Sequence, residues 1–136
     1  MRDSIEFEKA IIQRVDDIII TTYKKQAVLD LIDAKEFDAA YMNLSQGKEV
    51  FYISDLTAPD ADLTNDAQAY FSRKARIVTN IRAAAIIINT LRGRLVARFY
   101  IQYFKPLYPT KIFASVTEAQ EWFETIRKSE PAKETA

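Results

Sequence analysis

The run Arg82 to Asn89, RAAAIIIN, constrains the fold more than any other stretch of the chain. It is apolar without alternation, as expected of a strand covered on both faces. Such strands belong to parallel sheets, whose crossovers are usually helices. The flanking segments supply them. Upstream, Thr64 is an N-cap residue with Asp66 in the turn that follows, and Ala67, Phe71, Ala75 and Val78 form an apolar stripe. Downstream, Thr90 caps a helix predicted to run to about Phe104. That helix must stop before Pro106, because the residue preceding a proline is pushed out of the helical region.

The remaining elements fit around this frame. Ile5 to Val15 predicts a first strand, with a bulge where the alternation slips near Ala10. Asp16-Asp17 is a turn signal, and the β-branched Ile18 to Tyr23 predicts a second strand in an antiparallel hairpin. Asp30 caps a helix carrying Ala34, Phe37, Tyr41 and Leu44 on one face, with Gly47 at its left-handed end. Glu49 to Ile53 reads as a third strand and Ser54 to Leu63 as a polar loop. Thr110 to Ser115 predicts the last strand. In the final helix Ala119, Trp122, Phe123 and Ile126 share a side. The order is β-β-α-β-α-β-α-β-α: an α/β protein with a mixed sheet of about five strands and helices on at least one face. Pro106 and Pro109 in YFKPLYPTKIFAS predict a rigid helix-to-strand connector.

The stretch INTLRGRLVARFYIQYFKPLYPTKIFASVTEAQEWF resembles the C-terminal half of small bacterial STAS-like proteins, often described as STAS/SEC14 domain-containing and similar to anti-sigma factor antagonists. Its shared features are an apolar strand, a helix rich in Arg and aromatics, a KPxYPTKxF turn and strand, and a TEAQEWF-type helix. The likeness is specific over roughly Ile86 to Phe123, and the element order matches the STAS arrangement across about residues 5–128. It implies a single STAS-like domain over residues 1–128, with 129–136 as a flexible tail. It also implies a regulatory, protein-interaction role. In anti-sigma factor antagonists a Ser or Thr at the start of the second helix is phosphorylated and switches partner binding. The matching position here is Thr64, in DLTNDAQ, although the Asp-Ser-Ser/Thr-Gly signature is missing.

Composition narrows the chemistry. The chain has no His and no Cys, which excludes the Ser-His-Asp triad, a Cys nucleophile and any His- or Cys-ligated zinc. Its two glycines, Gly47 and Gly93, are far apart, so there is no Gly-rich phosphate loop. We expect no enzyme, no cofactor and no metal. Asp55, Asp60, Asp62 and Asp66 gather after the third strand, where parallel sheets bind ligands, but a solvated loop accounts for them. No apolar run approaches the roughly 18 residues of a membrane span, and the first residues lack a continuous apolar leader core. A cytoplasmic protein that is not an integral membrane protein is the expectation.

Net charge is zero, yet the signs are segregated. Residues 1–66 hold 14 acidic and 7 basic side chains, whereas residues 67–111 hold 9 basic and no acidic ones. Arg92, Arg94 and Arg98 fall on or near the third helix. Its apolar side is broad, comprising Leu91, Leu95, Val96, Phe99, Tyr100, Tyr103 and Phe104, more than one sheet contact needs. A dimer interface, a membrane-leaning face or a ligand pocket could use the excess. The candidate interaction or ligand face is therefore Arg92, Arg94, Arg98, Phe99, Tyr100, Tyr103 and Tyr108. The expectation is a non-catalytic interaction domain that pairs with a second copy through this helix, or with another regulatory protein; the alternative is a binder of a small apolar or anionic, lipid-like ligand. Nucleic acid is not expected, because a pI near 6.3 lacks the usual basic footprint.

Overall fold

The computed structural model describes residues 3–129. Residues 130–136 of the expected tail lie outside the described residues. The first predicted strand is two strands, β1 (Ser4–Glu6) and β2 (Ala10–Val15), paired antiparallel with Ile5 opposite Ile12. The slip near Ala10 is thus a reversal and not a bulge, closed where the N–H of Phe7 donates to the Ala10 carbonyl at 2.8 Å. β2 pairs antiparallel with β3 (Ile18–Tyr23) through a turn in which Asp16 takes a positive φ of 54°.

From β3 onward the sheet is parallel. A two-residue strand β4 (Val28–Leu29) leads to α1 (Leu31–Ser45), then to β5 (Val50–Asp55) beside β3. Next come β6 (Asp62–Leu63) and α2 (Asn65–Ala69), and then β7 (Ile81–Ile87) beside β5. α3 (Leu91–Phe104), β8 (Thr110–Phe113) and α4 (Val116–Ser129) complete the order. The main sheet has six strands, β1-β2-β3-β5-β7-β8, and β4 with β6 forms a small parallel ladder. That ladder tethers the loop after β5 to the segment before α1, a contact hidden in a stretch that reads as polar loop.

α1 is closed at both ends. Asp30 and Asp33 form a reciprocal capping box, and the chain leaves through Gln46 and Gly47, both at positive φ. Arg14 donates to the last-turn carbonyls of Leu44 and Ser45 at 2.5 and 3.1 Å. The second crossover departs from its predicted single helix. α2 passes into a π-helical turn, Tyr70–Lys74, the backbone extends at Ala75 (ψ 144°), and a 3-10 turn follows, Arg76–Asn80. The reason is Asp38 on α1. Its carboxylate accepts the N–H of Arg76 at 2.9 Å and of Ile77 at 3.0 Å, donors that a continuing helix would have turned inward. The apolar spacing survives the break, since Ala67, Ala75 and Val78 are all buried.

β7 behaves as its sequence predicts. Ala83, Ala85 and Ile87 pack toward Ala119 and Phe123 of α4, where Phe51 stacks on Phe123 with ring centroids 4.5 Å apart. Ala84 faces the α1 side with Ile12, Ile19, Phe37 and Tyr41, and Ile86 meets Ala97 of α3. Both faces of the sheet are therefore covered.

Candidate functional site

The α1 side of the sheet is not filled. Between β5 and β7 below, α3 on one side, and α2 with its π turn on the other lies a cavity of about 640 Å³. The loop from Leu56 to Leu63 closes over it, held by the β4–β6 ladder and by a bond from Gln26 N–H to the Pro59 carbonyl at 2.7 Å. This volume lies within the range of small-molecule sites. The cavity also sits at the C-terminal ends of parallel strands, where open sheets bind ligands.

The walls differ along its length. Apolar side chains include Leu56, Phe71, Ile86, Ile88 and Val96. The charged lining residues, Asp60, Asp62 and Arg92, are all exposed at the rim. The inner end is phenolic: Tyr23, Tyr52, Tyr100 and Tyr108 line it together with Ser54. Behind them Tyr41 bonds Thr21 at 2.6 Å and Tyr52 at 2.7 Å, so the hydroxyls form a connected set. Burial pushes the hydroxyls of Tyr23, Tyr41 and Tyr108 well above the ordinary phenol range. It also raises Tyr52, against hydrogen bonds shared with Thr21 and Tyr41 that pull the other way, and it lifts Tyr100 to about 12.

The predicted site residues divide into two groups. Arg92, Tyr100 and Tyr108 line the cavity. Arg94, Arg98, Phe99 and Tyr103 face outward on α3, the last two stacked with centroids 5.2 Å apart. Leu91, Leu95, Phe99 and Tyr103 are 73, 57, 56 and 67% exposed, so the excess width of the stripe is an uncovered outer face. None of the three arginines makes an ion pair among the described residues. The inner contact of α3 is made by small residues: Ala97 is buried, and a Cβ on Gly93 would stand 2.4 Å from Ile88 Cγ2.

The connector after α3 does more than turn. Lys105 ends the helix at φ 48°, and the N–H of Leu107 donates to the Ser72 carbonyl at 3.0 Å. Tyr108 folds in, 8% exposed, as part of the cavity wall. Pro106 and Pro109 hold the segment that places it.

Thr64 caps α2. Its hydroxyl oxygen accepts the N–H of Ala67 and its proton goes to the Asp66 carboxylate. The acidic loop does not converge on a point. Asp55 accepts from the N–H and hydroxyl of Thr57, Asp62 accepts from the N–H of Leu63, and no group of metal-ligating type gathers among the described residues. The inner residues Tyr23, Tyr52 and Phe71 escaped the sequence reading. A signal was present, since Tyr23 ends a strand whose C-terminal edge faces the ligand side of a parallel sheet.

Comparison with known proteins places this architecture. A model of a family described as a domain of unknown function (DUF7793) matches residues 11–127, and the chain belongs to that family. No curated protein sequence matches it. Among solved structures it is similar to an uncharacterized protein from the DUF3478 family with a SpoIIAA-like fold, from Shewanella loihica PV-4. The two are 17% identical over 83% of this chain and 90% of that one, with a TM-score of 0.59. At that identity the likeness is one of fold. The STAS-like arrangement implied by the sequence resemblance is the fold found, with six strands in the main sheet where about five were expected. No helix among the described residues is long and apolar enough to cross a membrane.

Proposed function

We propose that this member of the DUF7793 family is a non-catalytic, cytoplasmic STAS-like domain that binds a small, largely apolar molecule between α3 and the sheet. The observation that carries this reading is the cavity of about 640 Å³ with an apolar wall and a hydroxyl-lined inner end. Its size, and the confinement of charge to the rim, suit a ligand whose body is buried. The absence of His and Cys from the sequence supports binding over turnover.

Two measurements test it. Native mass spectrometry of gently purified protein should show a reproducible adduct. The neutral fluorophore N-phenyl-1-naphthylamine should bind one per chain, with enhanced emission that is lost when Val96→Trp fills the wall. The absence of both an adduct and enhanced emission would sink the reading.

A second reading rests on the outer face of α3. Exposed Leu91, Leu95, Phe99 and Tyr103 with Leu107 form an apolar strip flanked by unpaired Arg94 and Arg98. Aromatic and Arg enrichment is typical of protein contacts. We assign this face to a second copy or a regulatory partner, apart from the cavity. Phosphorylation at Thr64 would add charge near −2 beside Asp66 and remove the cap's donor. The proposal for that residue is tested by intact-mass analysis of protein purified from its source.

A further inference from the structure

We propose that the cavity selects an uncharged molecule carrying a carbonyl oxygen, and that this oxygen accepts a hydrogen bond from Tyr100 at the inner end. This deepens the ligand-binding reading and rests on it.

Tyr108 donates to the Phe71 carbonyl at 2.9 Å, so its single proton is committed. The Tyr100 and Tyr108 oxygens lie 3.5 Å apart, and with Tyr108 spent, Tyr100 is the donor across that gap. A separation of 3.5 Å is long for O–H···O contacts, which centre near 2.7–2.8 Å. Tyr52 has close partners, with Tyr41 at 2.7 Å and Thr21 at 3.2 Å. Tyr100 therefore holds a proton whose nearest acceptor stands at the limit of hydrogen-bond distance, available to the oxygen of a bound molecule. What complements a lone inward donor is an acceptor.

Charge decides which acceptor. No Lys or Arg lines the inner end; Arg92 is the one cation among the described lining residues, and it is exposed at the rim, as are Asp60 and Asp62. A carboxylate buried against the phenols would lose its hydration with no counter-ion to replace it. A ketone, ester or amide oxygen carries no such cost. An aliphatic or aromatic body then matches Leu56, Phe71, Ile86 and Val96 along the walls.

A matched set of naphthalenes tests the assignment: 2-acetyl-6-(dimethylamino)naphthalene, its 2-carboxylate analogue, and 2-(dimethylamino)naphthalene, which lacks the carbonyl. At about pH 8, where the carboxylate is fully ionised, the ketone should bind at least about tenfold more tightly than the carboxylate. Tyr100→Phe should weaken the ketone about five- to tenfold. It should also shift the bound emission further to the blue, because the carbonyl loses its hydrogen bond. The carbonyl-free compound should bind the two proteins alike, and matching circular dichroism melts show the variant folded. Carboxylate binding as tight as the ketone overturns the proposal while leaving the pocket in place, and so does a ketone indifferent to Tyr100→Phe. If none of the three binds, and N-phenyl-1-naphthylamine fails as well, the pocket reading falls with it.

Discussion

The hydroxyl of Tyr108 donates to the backbone carbonyl of Phe71 at 2.9 Å, joining residues 37 positions apart. That carbonyl is free because the π turn stops at Ala75, leaving its last carbonyls without helical donors. Leu107 takes the next one, at Ser72. The two bonds hold the connector after α3 against the opposite wall of the cavity. Tyr108→Phe keeps the ring and removes the donor. A loss of about 1–2 kcal/mol is expected, read as a fall in Tm of about 3–8 °C. An unchanged melt would show that the carbonyl finds another donor and that the wall is not held here.

Asp38 is the second clamp. It is 1% exposed and accepts from Tyr70 at 2.8 Å as well as from the backbone of Arg76 and Ile77. The Arg76 Nε lies 3.9 Å away, too far for a hydrogen bond, so backbone donors and one phenol satisfy most of the carboxylate. Asp38→Ala strands three donors at once. We expect a loss of about 3–5 kcal/mol, checked by urea denaturation. Asp38→Asn should cost less, because its amide oxygen still accepts one backbone bond. Equal losses for both variants would contradict this account.

Gly93, in the first turn of α3, packs on Ile88, the residue that follows β7. Alanine there would normally favour a helix by about 1 kcal/mol. Here its Cβ would meet Ile88 Cγ2 at 2.4 Å and the Thr90 hydroxyl oxygen, which caps the helix, at 2.9 Å. Ile88 is β-branched and buried, so its methyl cannot swing away. Gly93→Ala should therefore destabilise by about 1–3 kcal/mol and weaken probe binding by displacing Ile88, which lines the cavity. A double variant with Ile88→Ala that costs less than the sum of the two single variants would confirm the cause; a stabilised single variant would refute it.

Periodicity carried much of the architecture. RAAAIIIN, the α1 stripe and the Thr90 cap all mark elements the structure contains, because each rests on burial or on a local hydrogen bond. What escaped depended on distant partners. The second crossover reads as one helix because its apolar spacing is helical, yet Asp38, from another helix, claims the backbone donors that would continue it. The β4–β6 ladder is two residues long on each side and carries no periodicity at all. The broad α3 stripe was legible, but its division into inner and outer faces was set by Gly93 and Ala97, small residues a search for bulky apolar positions passes over. The tyrosines of the cavity lie on β3, β5, α3 and the connector, and only the fold brings them together.

Those phenols make alkaline stability a direct readout. Burial raises the hydroxyls of Tyr23, Tyr41, Tyr52, Tyr100 and Tyr108 above the unfolded value of about 10. Each stays protonated in the folded chain at a pH where the unfolded chain has begun to lose its proton. Stability is therefore full below about pH 10 and falls as pH rises beyond it. The 295 nm absorbance of phenolate from these residues should appear with unfolding, in one step with the loss of circular dichroism. Early phenolate absorbance from several tyrosines while the fold persists would contradict the buried cluster.

The outer face of α3 gives the last prediction. Phe99 is 56% exposed and stacks on Tyr103 with ring centroids 5.2 Å apart and the planes at 10°. A paired aromatic surface of this kind, with Leu91, Leu95 and Leu107 around it, loses little by being covered and gains apolar burial. If a second copy covers it, the protein should associate at micromolar concentration in sedimentation velocity. Phe99→Asp should abolish that association, because a carboxylate would be buried in the contact. The substitution lies outside the core, so the melt should stay within about 0.5 kcal/mol of the parent, and ketone probe binding should persist because Phe99 does not line the cavity. A protein that remains monomeric at high micromolar concentration assigns the strip to a different partner. An association that survives Phe99→Asp places the contact on another face altogether.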